Sequence, residues 1–423
     1  MATVLESTAP EAEARPVDPL DVSRAEIWTE DRWQEPFRQL RAEDPIHYTP
    51  ESKFGAYWSV STYQPIQHIE GNPDIFSSSW ELGGITVAGD GIEHMEEGDM
   101  AMPMFIAMDA PQHTAQRKTV APAFGPTDVL RMRDETIQRT GDVLDSLPIG
   151  QAFDWVDKVS MELTTQMLAT LFDFPWEERR NLTRWSDVLG DVEMFGDREK
   201  RDFRLKTAFE MGAAFKALWE RKAKDPGQHD LISIMLQSDA MSHMSEGEFM
   251  GNLILLIVGG NDTTRNSMSA YAYGLQQFPD QRTRLEQDHN PELAVNAMHE
   301  ILRWQTPLAH MRRTATQDTE LFGKQIKKRD KLALWYVSGN RDESVFPNAD
   351  QIIVDRENAR RHLAFGYGIH RCVGARVAEL QLTTLIAEMQ KRRLRVHVKE
   401  EPVRVPGCFV HGYKKMMVEL ERY

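Results

Sequence analysis

The stretch that most constrains this chain is the run Phe365–Gly374, which reads FGYGIHRCVG. Its glycines allow a tight turn with positive backbone φ angles, and such a turn can direct backbone N–H groups at the sulfur of Cys372. The residues after Cys372 have helical spacing, and a helix that starts beside the cysteine would add positive potential there. Both effects stabilise the thiolate, which is the form of cysteine that binds metals. The run therefore predicts a metal-binding thiolate, and the alternative is a buried structural cysteine in a glycine-rich turn.

The order of residues in this run is more specific than the cysteine alone. The pattern Phe-x-x-Gly-x-His-x-Cys-x-Gly resembles the haem-binding loop of the cytochrome P450 family, the haem-thiolate monooxygenases. The resemblance implies that Cys372 is the proximal ligand to the iron of haem b, where thiolate donation favours O–O cleavage. It also implies that Phe365 lies against the sulfur, that His370 approaches a haem propionate and that Gly374 belongs to the cofactor site.

A second motif lies within a predicted long helix over residues 245–278. The adjacent Gly259 and Gly260 each cost about 1 kcal/mol relative to alanine in a helix interior, so they need a structural reason. Close approach of a flat cofactor is one reason, and close packing of another helix is the alternative. Thr263 can donate a hydrogen bond back to the carbonyl of Gly259, which would loosen the helix locally and leave room for O₂ and water.

Asp262 and Thr263 resemble the acid–threonine pair of the same family. The resemblance implies catalytic roles for both side chains. Thr263 would organise the proton needed for oxygen activation, and Asp262 would admit protons from solvent, with Arg265 or Asn266 as the next group outward. Gly259 would then lie against the cofactor.

Two hydrogen-bond-donating side chains share one face of a predicted helix that begins near Pro111. His113 and Arg117 are four residues apart, which suits an anionic partner, although a solvated polar face is the alternative. By resemblance, this helix is the one that binds the haem propionates, and Arg313 matches the family's propionate arginine, with Arg312 the weaker candidate. Buried carboxylates require such partners.

The substrate side is less constrained by the sequence. The segment Ser77–Phe105 has no clean period and contains four methionines, which adapt well to unbranched apolar ligands. It is either a mobile surface loop or, as the resemblance implies, a lid over the pocket. The string GGNDTTRNSM, residues 259–268, resembles the branch of the family that hydroxylates the ends of alkanes and fatty acids. Oxidation at the strong terminal C–H bond of a small apolar substrate requires a pocket that selects by geometry, and a narrow apolar funnel would do so. We expect these residues to form it: Val258, Gly259, Leu308, Ala309, Phe409 and Val410.

The chain carries no linker, repeat or low-complexity tract that would divide its 423 residues. We therefore expect a flexible tail over residues 1–22 and one domain over residues 23–423. Periodicity predicts mostly helices, including an amphipathic helix over residues 28–42, with a few short strands. The P450 fold that the resemblance implies is likewise mainly α with small β-sheets, with haem between the long helix and the cysteine loop. The resemblance also implies a structural ion-paired group: Glu300, Arg303 and Arg356.

Charge and cysteine content exclude several classes of protein. A formal net charge of −15 argues against general nucleic-acid binding, and two cysteines, Cys372 and Cys408, argue against a disulfide scaffold. No apolar run approaches the roughly 20 residues that cross a bilayer, so we expect a soluble, cytoplasmic protein, and we expect it to be a monomer.

Electrons for such a reaction must come from another protein, because the sequence contains no flavin or iron–sulfur motif. The resemblance implies a ferredoxin and its reductase, which deliver electrons from NAD(P)H, and a cationic patch near the cysteine loop that includes Arg371 and Arg376 could meet an acidic ferredoxin. Three alternatives remain open: a haem protein that senses or carries a gas, a haem-thiolate enzyme that uses peroxide or rearranges its substrate, and a hydroxylase of a terpene or steroid-like substrate.

Overall fold

The computed structural model describes residues 18–89, 95, 100–194, 197–225 and 229–423. Residues 1–17 of the expected tail, and residues 90–94 and 96–99 of the expected lid, lie outside this range. The α-helices are α1 (Ala25–Thr29), α2 (Gln34–Glu43), α3 (Tyr63–Glu70), α4 (Gln112–Val120), α5 (Pro126–Asp145), α6 (Glu162–Phe172), α7 (Arg180–Leu189), α8 (Arg198–Lys224), α9 (Leu231–Leu236), α10 (Glu246–Gln277), α11 (Pro279–Gln287), α12 (Pro291–Gln305), α13 (Tyr336–Gly339) and α14 (Ala375–Lys391).

Short strands form small sheets beside these helices. They are β1 (Ile46–Thr49), β2 (Tyr57–Val60), β3 (Phe76–Ser77), β4 (Ala152–Asp154), β5 (Met311–Ala315), β6 (Thr319–Leu321), β7 (Lys324–Ile326), β8 (Lys331–Leu334), β9 (Leu394–Val398), β10 (Val403–Arg404), β11 (Tyr413–Lys415) and β12 (Met417–Arg422). The largest sheet has the order β1-β2-β8-β5-β3, with β2 and β8 parallel, and a second has the order β4-β12-β9. β6 pairs with β7 and β10 with β11. The predicted mainly helical fold with small sheets is confirmed.

Helix α10 lies at the centre of the fold. Its first half contributes Leu253 and Ile257 to a core shared with α6, α7 and α8, and its second half contributes Met268 to a core shared with α12 and α14. Apolar residues on several faces are typical of a helix that is buried all round. The helix is capped by Ser245, whose hydroxyl accepts a hydrogen bond from the N–H of Glu248 at 3.2 Å. The long helix predicted over residues 245–278 is thus confirmed.

A buried ion-paired group stabilises the segment that leads to the cysteine loop. The carboxylate of Glu300 accepts hydrogen bonds from Arg303 at 2.8 Å and from Arg356 at 2.9 Å, and the side chains of Glu300 and Arg303 are 0% exposed. Arg303 also donates to three backbone carbonyls between residues 340 and 351. Both guanidinium groups contact the one carboxylate, and their other N–H groups donate to backbone carbonyls, which is the condition for tolerating such a group in a core.

The helix predicted over residues 28–42 is wrong in its middle. Helix α1 ends at Thr29 and α2 begins at Gln34, with Asp31 between them at φ 53°. Trp28 and Trp33 are five residues apart and would point in different directions on one continuous helix. The break lets both indoles stack, at 5.8 Å between ring centroids, in the same buried cluster.

The expected flexible tail also ends earlier than predicted. The carboxylate of Asp18 lies 2.9 Å from His47, the hydroxyl of Tyr57 donates to Asp21 at 2.9 Å, and Val22 is fully buried. Residues 18–22 are therefore packed against the domain, because their polar and apolar side chains both find partners there.

No helix among the described residues has the length and apolar character needed to cross a bilayer.

Candidate active site

A cavity of about 250 Å³ lies between α10, the cysteine loop and the approach to β5. It brings together all but one of the site residues that the sequence singled out. Those that line it are His113, Arg117, Val258, Gly259, Asp262, Thr263, Leu308, Arg313, Phe365, His370, Cys372, Gly374, Phe409 and Val410. The remaining residue, Ala309, is fully buried in an adjacent core cluster, and its backbone N–H donates to the carbonyl of Phe409 at 2.8 Å.

Cys372 exposes its thiol to this cavity, three residues before α14 begins. The loop is closed by the N–H of Cys372, which donates to the carbonyl of Phe365 at 2.8 Å. Burial raises the pKa of the thiol, while the N–H of Gly374, which donates to the sulfur, and the charges of Arg117 and Arg371 lower it. The predicted N–H donor is thus present, but burial has the larger effect, and the pKa of the free thiol is raised.

His113 and His370 form an unusual buried pair beside the cysteine. Their ring centroids are 4.1 Å apart, and none of their four ring nitrogens has a hydrogen-bond partner among the described residues. Burial, together with neighbouring cations, lowers the pKa of His113 to about 4 and that of His370 to about 2, so both rings are neutral near pH 7. Arg117 and Arg313 line the same part of the cavity. Unsatisfied buried donors beside two guanidinium groups fit an anionic ligand.

The structure explains in two different ways why glycine stands at positions 259 and 260 inside α10. A β-carbon on Gly259 would meet no atom within 4 Å, because this residue faces the cavity. A β-carbon on Gly260 would lie 2.8 Å from Cδ2 of Leu168 on α6. The cavity explains the first glycine and helix packing explains the second, so each of the alternatives raised from the sequence applies to one residue. The hydroxyl of Thr263 donates to the carbonyl of Gly259 at 2.9 Å, as predicted, and α10 remains continuous there.

Asp262 is held by two α10 neighbours and by α7. Its Oδ1 accepts hydrogen bonds from the hydroxyl of Ser186 at 2.8 Å and from Asn261 at 3.0 Å, and lies 3.1 Å from Arg265. Arg265 in turn donates to Asp187 at 2.6 Å, and the side chain of Asp187 is 44% exposed. Burial raises the pKa of Asp262, an effect that Arg265 opposes. A line of ionisable groups therefore runs from the cavity to the surface.

Of the two candidates for the group beyond Asp262, only Arg265 contacts it. Asn266 instead accepts a hydrogen bond from the N–H of Tyr413 at 2.9 Å, and its amide fills the space where a β-carbon on Gly412 would lie. Asn266 therefore links α10 to β11 and takes no part in this line.

The described end of the expected lid packs on the start of α10. A β-carbon on Gly247 would lie 2.1 Å from the carbonyl oxygen of Ala101, and one on Gly251 would lie 2.3 Å from that of Pro103. These glycines admit the lid backbone, which brings Met104 to the cavity wall.

Two residues of this site were missed in the sequence. Tyr336 lines the cavity, and Glu70 lies behind the wall, where it accepts hydrogen bonds from Arg313 at 2.8 Å and from Tyr336 at 2.5 Å. Neither residue lies in a sequence motif. Glu70 is separated from Tyr336 by 266 positions and from Arg313 by 243 positions, so their proximity is visible only in the folded chain.

Haem fits this set of residues. A cysteine sulfur open to the cavity suits an iron ligand, and the unsatisfied nitrogens of His113 and His370 suit carboxylates, with Arg117 and Arg313 to balance their charge. Gly259 leaves the opposite wall open for a flat ring.

Comparisons with known proteins agree with this arrangement. The family model described as cytochrome P450 matches residues 126–407. The solved structure of CYP153D17 from Sphingomonas sp. PAMC 26605 is 61% identical, with a TM-score of 0.91, over 96% of this chain and 100% of that chain.

Two curated relatives align over nearly their whole length. Linalool 8-monooxygenase of Pseudomonas putida is 33% identical over 95% of this chain and 98% of its own. Methyl-branched lipid omega-hydroxylase of Mycobacterium bovis is 31% identical over 95% of each.

Proposed function

Since the chain belongs to the cytochrome P450 family, we propose that this monooxygenase hydroxylates the terminal carbon of a medium-chain alkane or fatty acid. The family implies a haem iron cofactor, which we take to be haem b with Cys372 as its ligand. When bound, haem with a thiolate ligand supplies the activation of O₂ that inserts one oxygen atom into a C–H bond. We take His113, Arg117, Arg313 and His370 to hold the two propionates.

In this proposal, Thr263 and Asp262 deliver protons. The proton of the Thr263 hydroxyl is engaged with the carbonyl of Gly259, so its lone pairs remain available to accept a hydrogen bond from water in the cavity. Arg265 stays protonated, because Asp262 and Asp187 raise its pKa, and it holds Asp262 beside the half-exposed Asp187. Asp262 can then exchange protons with solvent through water that enters on the side of Asp187. The two side chains are neighbours on α10, so Asp262 can supply the proton that Thr263 positions.

The observation that supports the choice of substrate is the apolar lining on the α10 side of the cavity. Val258 and Gly259 form one wall, and Leu308 lies on another, bridged through its backbone to Val410 beside Phe409. The terminal C–H bond of a linear chain is stronger than the internal ones, so selectivity for it requires a pocket that presents the methyl end. A narrow funnel with these walls would do so.

The named relatives support two substrate classes. The methyl-branched lipid omega-hydroxylase is, by its name, a terminal hydroxylase of a branched lipid, which favours oxidation at the end of a chain. The linalool 8-monooxygenase favours a terpene as the second candidate.

Product analysis tests the proposal. With octane, decanoic acid and dodecanoic acid, gas chromatography should find mainly terminal alcohols, and affinity should rise about fourfold for each methylene until the funnel is full. Leu308→Ala should move oxidation inward along the chain. Leu321→Ala, which removes the same atoms from a buried site in β6 outside the cavity, should leave the product pattern unchanged. Mainly internal alcohols from the unmutated enzyme, or turnover of linalool but of no linear substrate, would contradict the proposal.

For electron supply, we propose a ferredoxin and its reductase acting on a cytoplasmic monomer. Arg371 and Arg376 are exposed next to the cysteine loop and give this face a positive charge that would attract an acidic ferredoxin. A rate of reduction that falls steeply with added salt is the expected signature.

A further inference from the structure

Glu70 is a buried carboxylate with no role in the function proposed above. It is the last residue of α3, its side chain is 1% exposed, and it does not line the cavity. Burying a carboxylate costs several kcal/mol unless it is paired and hydrogen-bonded. Its position therefore requires strong partners, and the identity of those partners indicates what it does.

Three hydrogen-bond donors from separate parts of the chain converge on its two oxygens. Oε1 accepts from Nη2 of Arg313 on β5 at 2.8 Å and from the hydroxyl of Tyr336 on α13 at 2.5 Å. Oε2 accepts from the backbone N–H of Tyr367, five residues before Cys372 in the ligand loop. One carboxylate thus joins the guanidinium that faces the cofactor cavity to the loop that carries the thiolate.

The ligand loop is shaped to fit against this residue. Gly366 and Gly368 have φ angles of 67° and 66°, which L side chains rarely adopt. A β-carbon on Gly368 would lie 2.2 Å from the backbone carbonyl oxygen of Glu70, and one on Gly366 would lie 3.5 Å from its Oε2. Close approach to α3 therefore requires glycine at position 368, whereas at position 366 the space would admit a β-carbon and the positive φ angle alone favours glycine.

Arg313 is held from both sides. While Nη2 donates to Glu70, Nη1 donates to the carbonyl of Arg312 at 2.7 Å, so the guanidinium has little freedom to turn. An arginine whose orientation is fixed in advance loses less entropy when it binds a carboxylate.

We propose that Glu70 is a positioning residue for the cofactor, which fixes Arg313 and the ligand loop relative to each other so that a haem carboxylate and the haem iron are bound by one rigid unit. It rests on the assignment of the cavity to haem, and it is independent of which substrate is hydroxylated. Glu70 acts through Arg313 and Tyr367 and touches no reacting atom.

The test is the rate at which the purified haem-loaded enzyme loses haem to excess apomyoglobin. Glu70→Gln keeps the shape of the side chain, but its amide NH₂ must face one of the three donors. We expect haem loss to be about tenfold faster, the size of effect typical of leaving buried donors unsatisfied. Hydrogen–deuterium exchange of the loaded enzyme should also rise over residues 365–374. The weaker variant Tyr336→Phe removes one donor only and should lie between Glu70→Gln and the unmutated enzyme, which keeps the test available if Glu70→Gln folds poorly.

Two controls separate positioning from general stability. Glu388→Gln alters another buried carboxylate, which pairs with Arg392 on the far end of α14 and does not line the cavity. It should lower stability without changing the rate of haem loss. In a cycle of Glu70→Gln, Arg313→Gln and the double variant, the two effects should be strongly non-additive because one acts through the other. Haem loss from Glu70→Gln that matches Glu388→Gln, or additive effects in the cycle, would overturn the proposal. Absence of haem from the unmutated enzyme would instead refute the assignment of the cavity.

Discussion

A buried carboxylate pairs with an arginine on each side of the cavity, at Asp262 on the cavity wall and at Glu70 behind it, but the two pairs have different further partners. On the α10 wall, Asp262 lies 3.1 Å from Arg265, which continues to the half-exposed Asp187. On the cysteine-loop wall, Glu70 lies 2.8 Å from Arg313, and its other partners are the buried Tyr336 and a backbone N–H of the loop. The pair at Asp262 thus leads to a solvent-exposed residue, whereas the pair at Glu70 has only buried side-chain partners.

The two pairs are therefore suited to different roles. Burial raises the pKa of both carboxyl groups, so both would accept a proton more readily than an exposed acid. Among the described residues, only Asp262 of these two has ionisable neighbours that lead to the surface, so only Asp262 is placed to exchange that proton during turnover. Glu70 is surrounded by donors that favour a permanent carboxylate, which suits a fixed framework. Variants of one wall should therefore change proton delivery, and variants of the other should change how haem is held.

The largest expected effect lies on the closed wall. Cys372→Ser should lose the red-shifted Soret band of the ferrous–CO complex, which is diagnostic of a thiolate ligand, because a serine hydroxyl does not replace it. Cys408→Ser is the matched control: this second cysteine is fully buried outside the cavity and should leave the band intact. Retention of the band in Cys372→Ser together with its loss in Cys408→Ser would reverse the assignment.

A smaller effect is expected on the α10 wall. Thr263→Ala should bind haem and substrate normally and keep the thiolate spectrum, but it should divert electrons to hydrogen peroxide. The product formed per NADH should fall by about tenfold, because a hydroxyl that positions a proton is lost. Thr263→Ser restores that hydroxyl and should recover most of the coupling. Coupling that is unchanged in Thr263→Ala would remove Thr263 from proton delivery and break the contrast between the walls.

The motifs on both walls could be predicted because each is local in sequence. The loop around Cys372, the Gly259–Thr263 turn of α10 and the His113–Arg117 pair each lie within a few residues, and the structure places all of them on the cavity. The hydrogen bond from Thr263 to Gly259 follows from helical spacing alone.

Contacts that join distant segments could not be predicted in this way. Glu70 reaches Arg313 across 243 positions, and Ser186 reaches Asp262 across 76. Ala309 was expected to face the pocket with Leu308, but the strand pairing that turns its backbone toward Phe409 is a tertiary contact. The break between Trp28 and Trp33 likewise places both indoles in one buried cluster. The sequence did carry a signal for it, because Pro36 is tolerated in the first turn of α2 but would interrupt one continuous helix over residues 28–42.

The smallest effect should come from Asp187, the outermost residue of the line of ionisable groups that begins at Asp262. If Asp187 and the protonated Arg265 guide protons from solvent to Asp262, then Asp187→Asn should slow turnover about two- to fivefold, as expected for a partly exposed ion pair. Asp262→Asn should slow it further, and both should keep haem retention and the thiolate spectrum. The matched control is Glu210→Gln, since Glu210 pairs with Arg184 of α7 at the surface but has no link to the cavity. If Asp187→Asn turned over as fast as Glu210→Gln, the line of ionisable groups would have only a structural role. Asp262 would then be as isolated from solvent as Glu70.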